Sequence, residues 1–310
     1  MKLRLNVNII NKKNSLKDLF NETKSRGYNN PLIICDKYFI TNTYLTDNLK
    51  NFKNIKFIEF NKEPTYEMLN YEIKKIRKLK KIDCVIGIGG GSSIDFAKGI
   101  ATLIKNKGPS TKLMGFPKNI NTPLPVIAVP TTTSTGSEVV YNAVFTHEKK
   151  KKKLGINSEF NYPVLSLLDT RLIDKTPKNI LYQSALAVLV RSIETYTAPD
   201  ANYITKHFSK ISFEMIVSAL KSKSKNQNFF QKLQWGCIFS MLSLSNNSGG
   251  PSALLHYYLS VNYNISQPLG YSFTAFEFFR ENIKKGYKGY DELTYILNNR
   301  NKKKNNFFLF

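Results

Sequence analysis

Residues 89–92, Gly-Gly-Gly-Ser, stand between the apolar run 85–88 and a helical pattern that continues to Asn106. Three residues without a Cβ at the mouth of a helix let a ligand approach bare backbone N–H groups, where the helix end also carries partial positive charge. The chemistry this suits is the binding of a phosphate or pyrophosphate, with Ser92 able to add a hydroxyl or cap the helix. The spacing is neither GxGxxG nor a P-loop, since no Gly-Lys-Ser/Thr follows. Taken alone, a tight turn explains the glycines as well. A second cluster shifts that balance. "AVPTTTSTGSEV" (128–139) leaves a buried strand and sets five hydroxyls, Thr131, Thr132, Thr133, Ser134 and Thr135, at its carboxyl end. Ligands bind at that edge of open parallel sheets. Five hydroxyls followed by Gly-Ser-Glu also exceed what capping the next element requires.

Both clusters need elements to position them. "SLKDLFNETKSRG" (15–27) has a Ser start signal, apolar residues at helical spacing and a closing Gly, which reads as a helix. "PLIICD" (31–36) is a buried strand ending on Asp36, "IKFIEF" (55–60) another strand, and "TYEMLNYEIKKIRKLKK" (65–81) an amphipathic helix. "CVIGI" (84–88) and the proline-fenced "PVIAVP" (125–130) are further strands. At the start, Leu3, Leu5, Val7 and Ile9 alternate with polar residues, as in a strand and not a signal peptide. Strands alternating with helices argue for a parallel, helix-covered sheet. "EKKKKKL" (148–154), with its five lysines, reads as a solvated turn or exposed hairpin. After residue 175 the segments show helical periods and few strand signals. The expected fold is α/β: a Rossmann-like parallel-sheet nucleotide-binding domain over 1–175, then an all-helical domain over 176–310, with the boundary near "TPKN".

The 310 residues suit one large or two medium domains. Forty-six Lys and Arg against 22 Asp and Glu give a formal charge of +24, which would suit nucleic acid or an anionic surface. The lysines are scattered among asparagines and tyrosines, however, and no aromatic-studded basic motif appears. Compositional drift is therefore the preferred reading, and no specific nucleic-acid partner is expected. Cys35, Cys84 and Cys237 are widely spaced without a CxxC pair, so neither a disulfide framework nor a cysteine zinc site is indicated, and a cytoplasmic location is expected. No apolar run approaches the ~20 residues of a membrane span.

"GGGSSIDFAK" followed by "VIAVPTTTSTGSEV" resembles the iron-containing (group III) alcohol dehydrogenase family, which includes glycerol dehydrogenases and is distantly similar to dehydroquinate synthase. "AVFTHEKKKKKLGINS" and "PVLSLLDTRLIDKTP" resemble the segments that follow there, and the likeness runs over roughly residues 1–280. The resemblance implies an NAD(P)-dependent oxidoreductase acting on a small alcohol, aldehyde or hydroxy sugar acid. It implies that Gly89, Gly90, Gly91 and Ser92 cradle the pyrophosphate, and that Thr131, Thr132 and Thr135 line the nicotinamide and phosphate side. Asp95 and Lys98 stand where the family's helix carries its own Asp and Lys. Asp36 stands where the family often places an acid against the adenosine ribose. A carboxylate there accepts from the 2′-hydroxyl and repels a 2′-phosphate, favouring NAD, while Lys37 beside it leaves NADP open. A small-molecule substrate is the expected partner, and a homo-oligomer is open.

The resemblance also implies a divalent metal held by an Asp and three His, which polarises the alcohol oxygen. Two ligands come from a helix reading Asp-Ala-Leu-x-His, one turn apart on one face. In "SALAVLVRSIETY" (184–196) the register set by "SIETY" puts Ala187 and Arg191 at those positions. The other two positions fall on Ala253, with His256 three residues later, and on Gln267 or, with a slip, Leu269. Ala has no ligand atom and Arg is a permanent cation, so the family's metal is not expected to bind here. His147, His207 and His256 lie in separate segments without metal-ligand spacing. Two catalytic candidates remain. Arg191 could polarise a carbonyl or hold a substrate carboxylate, or else pair with Glu194 and fill space. His256 is the histidine expected near the cleft, with a packed helix histidine as the plainer alternative. The chain also stops soon after "FEFF" whereas relatives continue, and "NRNKKKNNFFLF" reads as an exposed end. The alternative function is therefore a catalytically impaired, metal-free nucleotide-binding homologue with a regulatory or interaction role. A basic binding protein rests on charge alone.

Overall fold

The computed structural model describes residues 3–60, 63–79, 81–118 and 120–298. The tail 299–310, expected as an exposed end, lies outside the described residues. Leu5–Thr176 form one compact unit; the described residues from Pro177 onward, joined by Leu3 and Arg4, form the other.

The first unit is built on six parallel strands: β1 (Asn8–Asn11), β2 (Leu32–Asp36), β3 (Asn54–Ile58), β4 (Val85–Gly89), β5 (Val126–Pro130) and β8 (Leu165–Leu168), in the order β1-β8-β5-β4-β2-β3. Side chains alternate along each strand. Leu32, Ile34, Val85 and Val126 therefore meet α3 (Tyr66–Ile76) and α4 (Gly91–Lys105) on one face. Ile33, Cys35, Ile86, Ile88, Ile127 and Val129 meet α1 (Leu19–Ser25) and α2 (Thr43–Leu49) on the other. Both faces are covered, which is why these strands read as continuous apolar runs.

The lysine run forms the turn of an antiparallel hairpin, β6 (Asn142–His147) and β7 (Lys152–Asn157). Its inner face is apolar. Ala143, Phe145 and Ile156 join the α3/α4 core, where the Phe145 ring lies 5.4 Å from that of Tyr66. At the turn Lys151 takes a left-handed conformation, φ 45°.

Three elements differ from the sequence reading. The first strand begins only at Asn8 because its partner, β8, pairs with it over four residues, and Leu5 is left 52% exposed. β8 itself went unassigned, although "VLSLL" carries the short apolar run of a buried strand. The segment 15–27 is a 3-10 turn (Ser15–Asp18) leading into α1, because the Ser15 hydroxyl donates to the Leu168 carbonyl (2.6 Å) and caps nothing.

After the short α5 (Thr170–Ile173), the second unit contains α6 (Lys178–Tyr196), α7 (Tyr203–Leu220), α8 (Gln227–Leu244), α9 (Ser252–Tyr263), α10 (Gln267–Lys284) and α11 (Asp291–Leu297). Small residues let α6, α7 and α8 approach closely. Ser192 and Ser212 hydroxyls pair at 2.7 Å, Thr195 with Ser209 and Ser209 with Ser243 at 2.8 Å, and a Cβ on Gly236 would lie 2.6 Å from Ile216. Among the described residues no helix is long and apolar enough to cross a membrane.

If the hairpin is part of the core, Phe145→Ala should cost about 3–5 kcal/mol, seen as a lower urea midpoint at unchanged slope. A loss under about 1 kcal/mol would mean the hairpin merely lies on the surface.

Candidate functional site

β2 leads into α2 on one face of the sheet, and β4 leads into α4 on the other. The carboxyl ends of these neighbouring strands therefore flank the topological switch point, where open α/β sheets bind ligands. Asp36 ends β2 and Gly89 ends β4, and a Cβ on Gly89 would lie 3.3 Å from the Asp36 Cβ.

The three glycines serve three different ends. Gly89 has φ +145°, and a Cβ there would strike Ser93 Oγ at 2.3 Å, so both backbone conformation and packing require glycine. At Gly91 a Cβ would meet the Thr135 side chain at 2.5 Å, so this glycine lets the threonine loop close on the helix. Gly90 differs: its Cβ would meet nothing nearer than Thr132 Oγ1, at 3.4 Å. The fold does not need glycine there, and the space a side chain would fill lies directly before α4. Gly90 is the N-cap of α4 and supplies no side-chain acceptor, so the first N–H groups of the helix are left to a ligand or solvent.

The threonine loop walls this space. The Thr131 N–H donates to the Gly89 carbonyl (2.9 Å), tying the loop to the glycine turn. Thr131, Thr133 and Ser134 are buried, whereas Thr132, Thr135 and Ser92 are half-buried at the edge. Asp36 accepts from the Tyr38 N–H (3.0 Å); burial raises its pKa, and the Tyr38 bond opposes that. Lys37 is turned to Glu59, 3.0 Å away in an exposed pair.

Asp95 lies elsewhere. Its carboxylate accepts from the Ser137 hydroxyl in a short hydrogen bond and from the Val144 N–H (3.0 Å). Burial raises its pKa, and Lys98, Ser137 and Val144 counter this. Lys98 is fully buried and donates to the carbonyls of Ser137 (2.6 Å), Val140 (2.7 Å) and Asn142 (2.9 Å) and to Ser137 Oγ (3.0 Å). Burial pushes Lys98 down to about 8, with Asp95 and Glu138 opposing. Ser137 was not singled out from the sequence. Its only signal was a hydroxyl placed just past the left-handed Gly136.

In the helical unit, Ala187 and Arg191 lie one turn apart on α6, both 2% exposed. Arg191 Nε donates to Ser240 Oγ (2.9 Å), and a terminal guanidinium nitrogen approaches Cys237 Sγ (3.7 Å), so the side chain is directed at α8. Glu194 accepts from the Ser252 N–H (3.0 Å), and burial raises its pKa. His256 is buried on α9. Its ring lies 6.0 Å from Tyr271 and so close to Gly270 that a Cβ there would come within 2.7 Å of Nδ1. Ala253 lies on α9, and Gln267 opens α10. Among the described residues no group of three or more His, Cys, Asp or Glu could hold a metal ion. Two alanines, a guanidinium and one neutral amide do not fit a dication, which needs anionic or imidazole ligands.

The fold and this edge define an α/β protein of the doubly wound class followed by a helical unit. The chain belongs to the iron-containing alcohol dehydrogenase family, whose model matches residues 6–170, just over half its length. It is 29% identical over 220 residues to alcohol dehydrogenase 4 of Schizosaccharomyces pombe, covering 69% of this chain and 52% of that protein. It is 27% identical over 196 residues to the sulfoacetaldehyde reductase of Bilophila wadsworthia, covering 62% and 51%. The chain thus spans about half the length of these curated relatives. Among solved structures, sulfoacetaldehyde reductase from Bifidobacterium kashiwanohense in complex with NAD+ superposes with a TM-score of 0.83 at 20% identity, covering 96% of this chain and 85% of that one. Alcohol dehydrogenase from Oenococcus oeni gives 0.87 at 22% identity, covering 96% and 80%. At these identities the structures speak to fold alone.

The glycine geometry predicts a split in stability. Gly90→Ala should stay within about 0.5 kcal/mol of the natural chain. Gly91→Ala should cost about 1–3 kcal/mol because Thr135 must move. Equal urea midpoints for the two variants would contradict the separate roles assigned to them.

Proposed function

We propose that the N-terminal unit binds NAD(H) and that the chain is an oxidoreductase of its family's kind, moving hydride between the nicotinamide and a small alcohol, aldehyde or hydroxy sugar acid. The observation that carries this is the uncapped start of α4 at Gly90, where a Cβ would meet nothing nearer than Thr132 Oγ1 at 3.4 Å, beside a loop that brings Thr135 against Gly91. The pyrophosphate would take the first N–H groups of α4 and the Ser92 hydroxyl. Thr132 and Thr135 would face the cofactor, while Thr131 and Gly91 set the loop's distance. Asp36, at the end of β2, would accept from the adenosine ribose. A carboxylate there and Lys37 engaged with Glu59 support NAD over NADP. Asp95 would act through Ser137 and not by touching the cofactor. The relatives' own activities, on alcohols, sulfoacetaldehyde and 4-hydroxybutyrate, support a small polar substrate. Three free, buried cysteines suit a reducing compartment.

One observation favours a second reading. The positions assigned to the metal ligands present Ala187, Arg191, Ala253 and Gln267, and Arg191 is engaged with α8. A dication there would lack an anionic ligand and meet a fixed positive charge. On this reading the chain is a metal-free nucleotide-binding homologue with a regulatory or interaction role, and neither Arg191 nor His256 acts on a substrate.

Calorimetry should show NADH binding at micromolar to sub-millimolar strength. Gly90→Val should abolish it in a chain that still unfolds cooperatively, since a branched side chain would occupy the phosphate space. Well-folded natural protein that does not bind NADH would end the cofactor reading. Elemental analysis separates the two readings: the natural chain should purify with iron and zinc well below one equivalent. About one tightly held metal per chain would show that the ligand positions have been misassigned.

A further inference from the structure

The wall of the candidate site has no ladder of its own. Residues 131–135 form bends, held at one end by the Thr131 N–H on the Gly89 carbonyl. At the other end the Ser137 N–H donates to Thr135 Oγ1 (3.3 Å), and both the carbonyl and the hydroxyl of Ser137 receive from Lys98. A single amine on the second turn of α4 thus fixes the loop that closes on the first turn.

We infer that Lys98 is a positioning residue for the cofactor: its protonated amine, through Ser137, holds Thr132 and Thr135 at the distance the dinucleotide requires. This rests on the cofactor reading above. An ammonium has three protons for the four acceptors around Nζ, whereas a neutral amine has two and would leave buried carbonyls unmet. The charged groups that face it are known. Asp95 on the same helix is 4.0 Å away, and Glu138 is buried in the adjoining 3-10 turn. Lys153 on β7, paired with Glu63, acts on Asp95 from the hairpin.

Burial brings Lys98 down to about 8, within reach of ordinary buffers. An anionic ligand that needs the loop in place favours the protonated amine, so the bound state holds this proton more tightly than the free one. Below about pH 8 both states carry the proton and affinity is flat. Above it, binding must take up a proton, and affinity falls as pH rises. The thiols of this unit do not interfere, because burial pushes Cys35 up to about 12 and Cys84 upward as well. Lys153 is also lowered by burial, with Glu63 opposing, so a variant must separate the two lysines.

The experiment is NADH calorimetry from about pH 7 to about pH 9.5 on the natural chain and on Lys98→Met. The natural chain should lose roughly ten-fold in affinity across that range. Lys98→Met should start roughly ten-fold weaker at pH 7 and show no further loss. A lysine that only stabilised the fold would lower the melting temperature and leave the pH profile flat. A flat natural profile therefore overturns the inference, and so does a pH response that survives in Lys98→Met. If that variant does not fold, Ser137→Ala decides. Without the hydroxyl that accepts from Nζ, the fall-off should begin at lower pH, and an unmoved midpoint overturns the inference. No NADH binding by the natural chain even at pH 7 removes the cofactor reading itself and this inference with it.

Discussion

A helix that starts on glycine has no side chain of its own to cap its first N–H groups, and the N-terminal unit is arranged around that open turn at Gly90. Glycine in place of a capping side chain forfeits only about a few tenths of a kcal/mol. That loss is tolerable because α4 is otherwise deeply packed: Phe96, Ala97, Ile100, Ala101 and Leu103 all enter the core against β2, β4 and the hairpin. The same helix carries Asp95 and Lys98 on its second turn, where they hold residues 137–144. One element therefore supplies the open donors and also fixes the wall beside them. Local stability is conceded at the helix start and recovered one to two turns later, a pattern common at functional sites.

The helical unit treats polar groups in the opposite way. Its hydroxyls pair with one another across α6, α7 and α8, and Arg191 is directed at Ser240 and Cys237. A buried guanidinium without acceptors is very costly, so its hydrogen bonds are a condition of its burial. These contacts engage Nε and one terminal nitrogen and turn the side chain toward α8.

Legibility in the sequence followed the locality of the partners. The glycine turn and the hydroxyl cluster were readable because each is contiguous and each sits at a strand's carboxyl end. The alternation of strands and helices was readable because both sheet faces demand apolar residues. β8 escaped because four residues give too little periodicity, and its burial depends on β1 and β5, which are distant in sequence. The hold of Lys98 escaped for a different reason. Three of its four acceptors are backbone carbonyls, which no residue type advertises, and they come from positions 39–44 residues further on. Arg191 could be assigned to a position on α6, but the direction of its side chain depends on Ser240 and Cys237 of α8.

The chain's large positive charge is a separate matter from the candidate site. The residues in the site that could meet a phosphate are backbone N–H groups and hydroxyls, all neutral. The nearby charges are largely matched: Lys98 faces Asp95, and Lys37 faces Glu59. Lys149, Lys150, Lys151 and Lys152 are exposed at the hairpin turn. Fields from such exposed charges fade over about 8 Å at physiological salt, whereas a hydrogen bond from a helix N-terminus acts at contact distance and is screened far less. The +24 charge can hasten the arrival of any anion, nucleotide or polymer alike. On the proposed cofactor reading, choosing among anions falls to local features and not to net charge: the uncapped turn at Gly90, the hydroxyls of Thr132 and Thr135, and the single carboxylate of Asp36.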